Sequence, residues 1–162
     1  MYHSTAILLR DGRVLVGGSN PHSGYEFTRV LFPTELSLEA FSPPYLDAQH
    51  NYLRPTIVSS TASKGKYIGY GQKLLVRFKV TGKLLADRVS VTMVAPAFNT
   101  HSYSMNHRLL VLGNTKVTSV GTSTYDVQVT TPRSGYLAPS GHYILHVVHQ
   151  YIPSTGIWVK IL

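Results

Sequence analysis

Apolar and polar positions alternate along much of this chain with a period of two. In ELSLEAFSPP, Leu36, Leu38 and Ala40 fall on one face and Glu35, Ser37 and Glu39 on the other, which is the pattern of a half-buried strand. Pro43 and Pro44 end that strand, because neither can donate a ladder hydrogen bond. Upstream, TAILL and RVLVGG are apolar runs separated by Arg10, Asp11 and Gly12. Asp-Gly between apolar runs predicts a hairpin, since the turn needs a positive φ. The stretch from Pro44 to Arg54 reads as a loop, a junction between two units. Beyond it, strands are predicted at Thr56–Val58, Lys66–Ile68, Lys73–Val80, Arg88–Val94, Leu109–Leu112, Tyr125–Thr130, His142–Val148 and Ile157–Ile161. Helical periodicity is weak throughout. About eight short strands over about 110 residues predict an antiparallel sandwich of immunoglobulin type.

The first three strands are a different case. A hairpin plus one strand is marginal alone in water and leaves two edges unpaired. The Gly17-Gly18 pair after the second strand is similar to a kelch repeat, one blade of a β-propeller. The expected fold class is therefore all-β: a last kelch-type propeller blade remnant and junction over 1–52, then an immunoglobulin-like β-sandwich over 53–162.

Composition narrows the chemistry. The 162 residues contain no cysteine, so disulfides, thiolate metal sites and cysteine nucleophiles are excluded within them. No apolar run reaches the roughly 18 residues a membrane-spanning helix needs. Ala6–Leu9 is too short and wrongly flanked for a signal peptide. Fifteen Lys and Arg against seven Asp and Glu give a net charge of +8, which attracts polyanions. Lys73, Arg77 and Lys79 share one strand face, and Lys64, Lys66, Lys83 and Arg88 are scattered around them. No RNA-binding aromatic motif or zinc finger accompanies them, so no nucleic-acid partner is expected.

The segments YHSTAILLRDGRVLVGGSNPH, FPTELSLEAFSPPYL, NTHSYSMNHRLLVL and GHYILHVVHQYIPSTGIWVKIL occur in this order. Together they resemble the glyoxal oxidase-like branch of the galactose oxidase family, its plant members most strongly. The resemblance covers essentially the whole chain. It implies a terminal blade of a seven-bladed kelch propeller followed by an early-set sandwich. It also implies a copper-radical oxidase, in which an aldehyde or alcohol is oxidised and O2 is reduced to hydrogen peroxide. By motif position, Tyr2 and His3 match the family's Tyr-His ligand pair, and His101 matches its loop histidine. The metal ligands implied are Tyr2, His3 and His101, with Tyr2 also the catalytic base. The family's radical tyrosine and its cysteine partner have no counterpart here, so the chain is expected to be a carboxy-terminal portion, inactive in isolation. The resemblance implies a secreted parent. The alternative is a non-enzymatic extracellular module whose basic surface binds an acidic cell-wall polysaccharide.

The residues carry their own logic. Imidazole suits Cu(II), and a phenol with a pKa near 10 can ligate as phenolate or take a proton. In a regular strand, adjacent Tyr2 and His3 would point to opposite faces, so both can serve one metal only where the chain is irregular, before Thr5. His142 and His146 share a strand face with His149 opposite; structural or surface roles are expected for all three. Asp11 is explained by its turn, Glu35 by a solvent face, and Trp158 by packing in the last strand. His22, His50 and His107 have no evident partners, and no sequon, Walker or G-x-S-x-G motif is present.

Overall fold

The computed structural model describes residues 2–62 and 67–162. All regular elements in them are strands, apart from three single 3-10 turns. A three-stranded antiparallel sheet, order β1-β2-β3, is formed by β1 (Thr5–Leu8), β2 (Val14–Ser19) and β3 (Glu35–Phe41). Its β1–β2 connection closes through Leu9 N–H to the Arg13 carbonyl (2.8 Å) and Gly12 N–H to the Leu9 carbonyl (3.0 Å). Gly12 sits at φ 91°, the left-handed conformation the Asp-Gly signal anticipates. Asp11 takes the Arg13 N–H and pairs with its guanidinium.

The junction is more ordered than a loop reading implies. It forms 3-10 turns at Pro44–Leu46 and Ala48–His50. Tyr45 reaches back to donate to the Gly12 carbonyl (2.9 Å).

Two sheets then face each other. The first, order β10-β11-β5-β4, comprises β4 (Thr56–Ser60), β5 (Lys73–Lys79), β10 (Gly113–Gly121) and β11 (Thr124–Thr130). The second is centred on β12 (Gly141–His149). One edge of β12 pairs β6 (Val89–Val94), which pairs β9 (Leu109–Val111). Its other edge pairs β14 (Ile157–Ile161) and then β13 (Ile152–Pro153). A separate hairpin joins β7 (Phe98–Thr100) to β8 (Tyr103–Met105).

The core lies between the sheets. Leu74, Val76 and Phe78 from β5, Val127 from β11, Val91 and Met93 from β6, Leu145 and Val147 from β12, and Ile161 from β14 are fully buried. Each such side chain contributes about 1.5–3 kcal/mol of burial. On β5 every second residue is buried, so Lys73, Arg77 and Lys79 face outward, as their spacing predicts. Arg77 makes two hydrogen bonds to Asp126 on the neighbouring strand, at 2.7 and 2.8 Å.

Some strands differ from expectation. Lys64 and Lys66 lie outside the described residues, and with them part of the predicted Lys66–Ile68 strand; Ile68 itself makes one parallel bridge to Ile161. The strand β10 is absent from the sequence prediction because Gly113–Gly121 is polar and glycine-bounded; pairing with β11 supplies its order. Nor are β7, β8 and β13 predicted, being two or three residues long. Among the described residues no helix is long and apolar enough to cross a membrane.

Candidate metal centre

Tyr2 and His3 precede β1 in a turn, and His3 has φ 57°. This is the irregularity needed for neighbouring side chains to share one side. The two rings stack, with centroids 3.9 Å apart and planes 22° from parallel. The Ser19 hydroxyl donates to the Tyr2 carbonyl (2.9 Å), tying the turn to the end of β2.

His101 arrives from the sandwich side. It is the first turn residue of the β7–β8 hairpin, with φ 49°, and Ser102 follows at φ 67°. Two successive left-handed residues are what a tight I′ hairpin turn requires, a place usually taken by Asn-Gly. Here a histidine and a serine occupy it, at a cost on the order of 1–3 kcal/mol per strained residue. The turn reaches the amino end of β1. Ser4 N–H donates to the Ser102 hydroxyl (3.2 Å), and the two hydroxyls lie 3.4 Å apart.

The result is a cluster drawn from both units. The His3 and His101 rings meet edge to face with centroids 4.6 Å apart. His3 Nδ1 is 3.1 Å from the Asn20 carbonyl, to which it can only donate. That fixes the tautomer and leaves His3 Nε2 with its lone pair. His101 Nδ1 is 2.8 Å from the Thr100 hydroxyl; when it donates there, Nε2 is again the free lone pair. Partners that orient an imidazole through its second nitrogen are what metal-binding histidines use. Tyr2 is 58% exposed.

The donor set fits copper. Two imidazoles and one phenol are nitrogen and oxygen donors of the kind Cu(II) takes. No cluster of three His, Cys, Asp or Glu residues occurs among the described residues, so the tyrosine is needed for a third protein donor. The competing histidines are otherwise engaged. His146 is buried, with Nδ1 at 2.8 Å from the Ser154 carbonyl. His149 bonds the Leu53 carbonyl and receives Leu85 N–H. His142 stands edge-on to Trp158 at 6.5 Å. His146 and His149 are buried structural residues and His142 lies at the surface, within the expectation for that strand. His22 also has a partner, the Phe32 carbonyl at 2.7 Å.

The supporting residues Ser19, Asn20, Thr100 and Ser102 are not evident in the sequence. Their only signal is position: two follow the Gly17-Gly18 pair, and two flank His101.

Comparison with known proteins covers both regions of the chain. Residues 54–161 match the family model described as galactose oxidase-like, early set domain, and residues 1–45 match glyoxal oxidase N-terminus. The chain belongs to the galactose oxidase-like family. It is 48% identical over its whole length to aldehyde oxidase GLOX1 of Arabidopsis thaliana, covering 26% of that protein. It is 42% identical over 99% of its length to putative aldehyde oxidase Art an 7 of Artemisia annua, covering 26% of that protein. Against aldehyde oxidase GLOX of Vitis pseudoreticulata it is 38% identical over its whole length, covering 30%. The chain thus spans under a third of the length of these relatives. The family assignment fixes the two facing sheets as an early-set, immunoglobulin-like domain.

Proposed function

We propose that Tyr2, His3 and His101 are three protein ligands of a copper-radical oxidase centre. The parent activity is oxidation of an aldehyde to its acid, with water and O2 consumed and hydrogen peroxide released; a primary alcohol is the other substrate class the reading allows. In this reading residues 1–52 are the terminal blade of a kelch propeller with its junction, residues 53–162 are the early-set domain, and the parent acts outside the cell. The observation that carries it is the meeting of His3 and His101 ring to ring, each held in a left-handed backbone conformation by a different unit. Strain of that kind is retained where the position of a side chain matters more than local stability.

Each residue has a task. His3, oriented by the Asn20 carbonyl, and His101, oriented by the Thr100 hydroxyl, would hold the metal through Nε2. Copper, when bound, supplies one-electron redox chemistry. Tyr2, which is largely exposed, would take the proton that a bound substrate releases. The hydrogen bonds between Ser4 and Ser102 keep the two histidines in register. With no cysteine in the chain, the family's cross-linked radical tyrosine cannot form from these residues, and the chain alone turns nothing over.

The test is Cu(II) binding by the 162-residue chain, followed by electron paramagnetic resonance. The expected signal is nitrogen- and oxygen-ligated, without radical coupling, and His3→Ala and His101→Ala each weaken binding and change it. Peroxide is not formed from glyoxal or galactose above a copper-only control. If both substitutions leave spectrum and affinity unchanged, the assignment fails.

A further inference from the structure

A second site lies away from this cluster. The β1–β2 turn, the junction with the start of β4, and the segment leading into β14 line a half-open pocket of about 410 Å³. Two arginines from different elements line it. Arg54 donates from Nε to the Pro153 carbonyl (3.0 Å) and from Nη2 to the Asp11 carbonyl (2.6 Å). Arg10 donates from Nε to the Gly156 carbonyl (2.9 Å), and Gly156 N–H returns a bond to the Arg10 carbonyl (2.7 Å). These bonds to main-chain carbonyls fix where the guanidiniums sit without neutralising either charge. Neither forms an ion pair among the described residues, and no acidic side chain lines the pocket. The nearby Asp11 carboxylate is turned to Arg13 at 2.8 Å. The remaining Nη groups of Arg10 and Nη1 of Arg54 have no hydrogen-bond partner among the described residues.

The rest of the lining is mixed in a particular way. Asn51 and Thr56 bring an amide and a hydroxyl, while Ile57 and Ile157 bring apolar walls. Two cationic forks suit a carboxylate, which takes paired N–H donors. Apolar walls beside amide and hydroxyl groups suit a ring that carries C–H faces and hydroxyls together. The volume falls within the roughly 300–1,000 Å³ range of small-molecule sites and exceeds what a bare anion fills. We propose that this pocket binds the carboxylate of a sugar acid, a uronate unit, with the carboxylate between Arg10 and Arg54 and the sugar ring against Ile57 and Ile157. The net charge of +8 would draw such a ligand, especially a polyuronate, toward the chain. This goes beyond the oxidase reading and shares no residue with the metal cluster.

The test is a nitrogen-15 NMR titration of the whole chain with galacturonate, galactose, acetate and inorganic phosphate. Galacturonate is expected to shift the Gly156 amide and the Nε–H signals of Arg10 and Arg54. Galactose should shift none of them, and acetate and phosphate should bind at least about tenfold more weakly, lacking the ring contacts. Thr56→Glu sets a carboxylate at the pocket rim and leaves both arginine anchors in place; it should weaken galacturonate binding by about tenfold or more. Thr56→Gln should stay within about threefold. Equal binding of galactose, or of acetate or phosphate, overturns the proposal. So does unchanged binding in Thr56→Glu, or shifts centred on His142, Trp158 and Lys160 instead.

Discussion

Strands β3 and β5 carry the same kind of alternation, ELSLEAF and KLLVRFK, and meet different fates. In β5 the apolar positions Leu74, Val76 and Phe78 are 0% exposed. In β3 the equivalent positions Leu36 and Leu38 are 62% and 68% exposed. The pattern marks which face of a strand is apolar; it does not say that anything covers that face. The two-sheet domain covers its own, and every buried hydrophobic side chain among the described residues lies at or beyond Ala62. The three-stranded sheet is held by its ladder and by polar bonds to the domain: Arg10 with Gly156, Arg54 with Asp11, and Ser4 with Ser102. One region is stabilised by burial, the other by attachment.

The strongest way to break this comparison is to remove matching side chains from each region. Phe78→Ala should cost about 3–5 kcal/mol, the usual loss on emptying a core aromatic site. Leu38→Ala should stay within about 0.5 kcal/mol, as surface changes do. Denaturant unfolding of both variants decides, and similar losses would show that β3 is packed into a core as fully as β5.

The attachment itself can be strained at Gly156. A Cβ there would overlap Ile144 and lie 2.7 Å from His146 Cε1. Gly156→Ala should cost about 1–3 kcal/mol, the range for overpacking. Amide hydrogen exchange gives the sharper readout. In the unmodified chain Val14–Val16 should exchange faster than Leu145–Val147. The substitution should widen that gap, since Gly156 anchors Arg10. Equal protection at both segments would mean that the two regions open as one.

Acid should separate the regions in sequence. Burial holds the His146 imidazole below its ordinary value, the nearby Arg54 and Arg10 charges act the same way, and a bond to the Ser154 carbonyl opposes them. Its Nε2 has no partner to receive a proton's new donor bond. A base whose folded pKa is depressed favours folding in its neutral form. Its contribution is full above the unfolded value of about 6.5 and is lost as pH falls toward the folded value. Because His146 lies beside Gly156, which anchors Arg10, protection at Val14–Val16, corrected for the intrinsic pH dependence of exchange, should fall first on mild acidification, and His146→Gln should flatten that fall.

The smallest effect is expected further down the pH scale. The side-chain hydrogen bonds and charge of Arg77 hold the Asp126 carboxyl below its ordinary range, against the opposing effect of burial. Stability from this group is present above the unfolded value of about 3.9 and is lost as pH falls through the lower folded value. Arg77→Met should remove that acid limb from the unfolding midpoint of the two-sheet domain. An unchanged limb would mean that other carboxylates govern it.

Much of this molecule was legible before its fold was known. Alternation located β3 and β5, enrichment in β-branched and aromatic residues located β12, the Asp-Gly pair located the first hairpin, and the order of four segments pointed to the family and to Tyr2, His3 and His101. Those signals are local, or are carried by residue identity along the chain. The missing pieces are those whose order comes from a partner. Gly113–Gly121 has too few apolar positions to announce β10, which exists because β11 offers a ladder. His101 and Ser102 give no glycine to mark the β7–β8 turn, so their left-handed backbone appears only in three dimensions. The pocket between Arg10 and Arg54 is of the same kind, since nothing near either arginine in sequence shows that the other is there or that Asp11 is turned away. A one-dimensional pattern records what each side chain prefers; which preferences are satisfied, and against whom, depends on contacts between residues far apart in the chain, and the tertiary structure decided those.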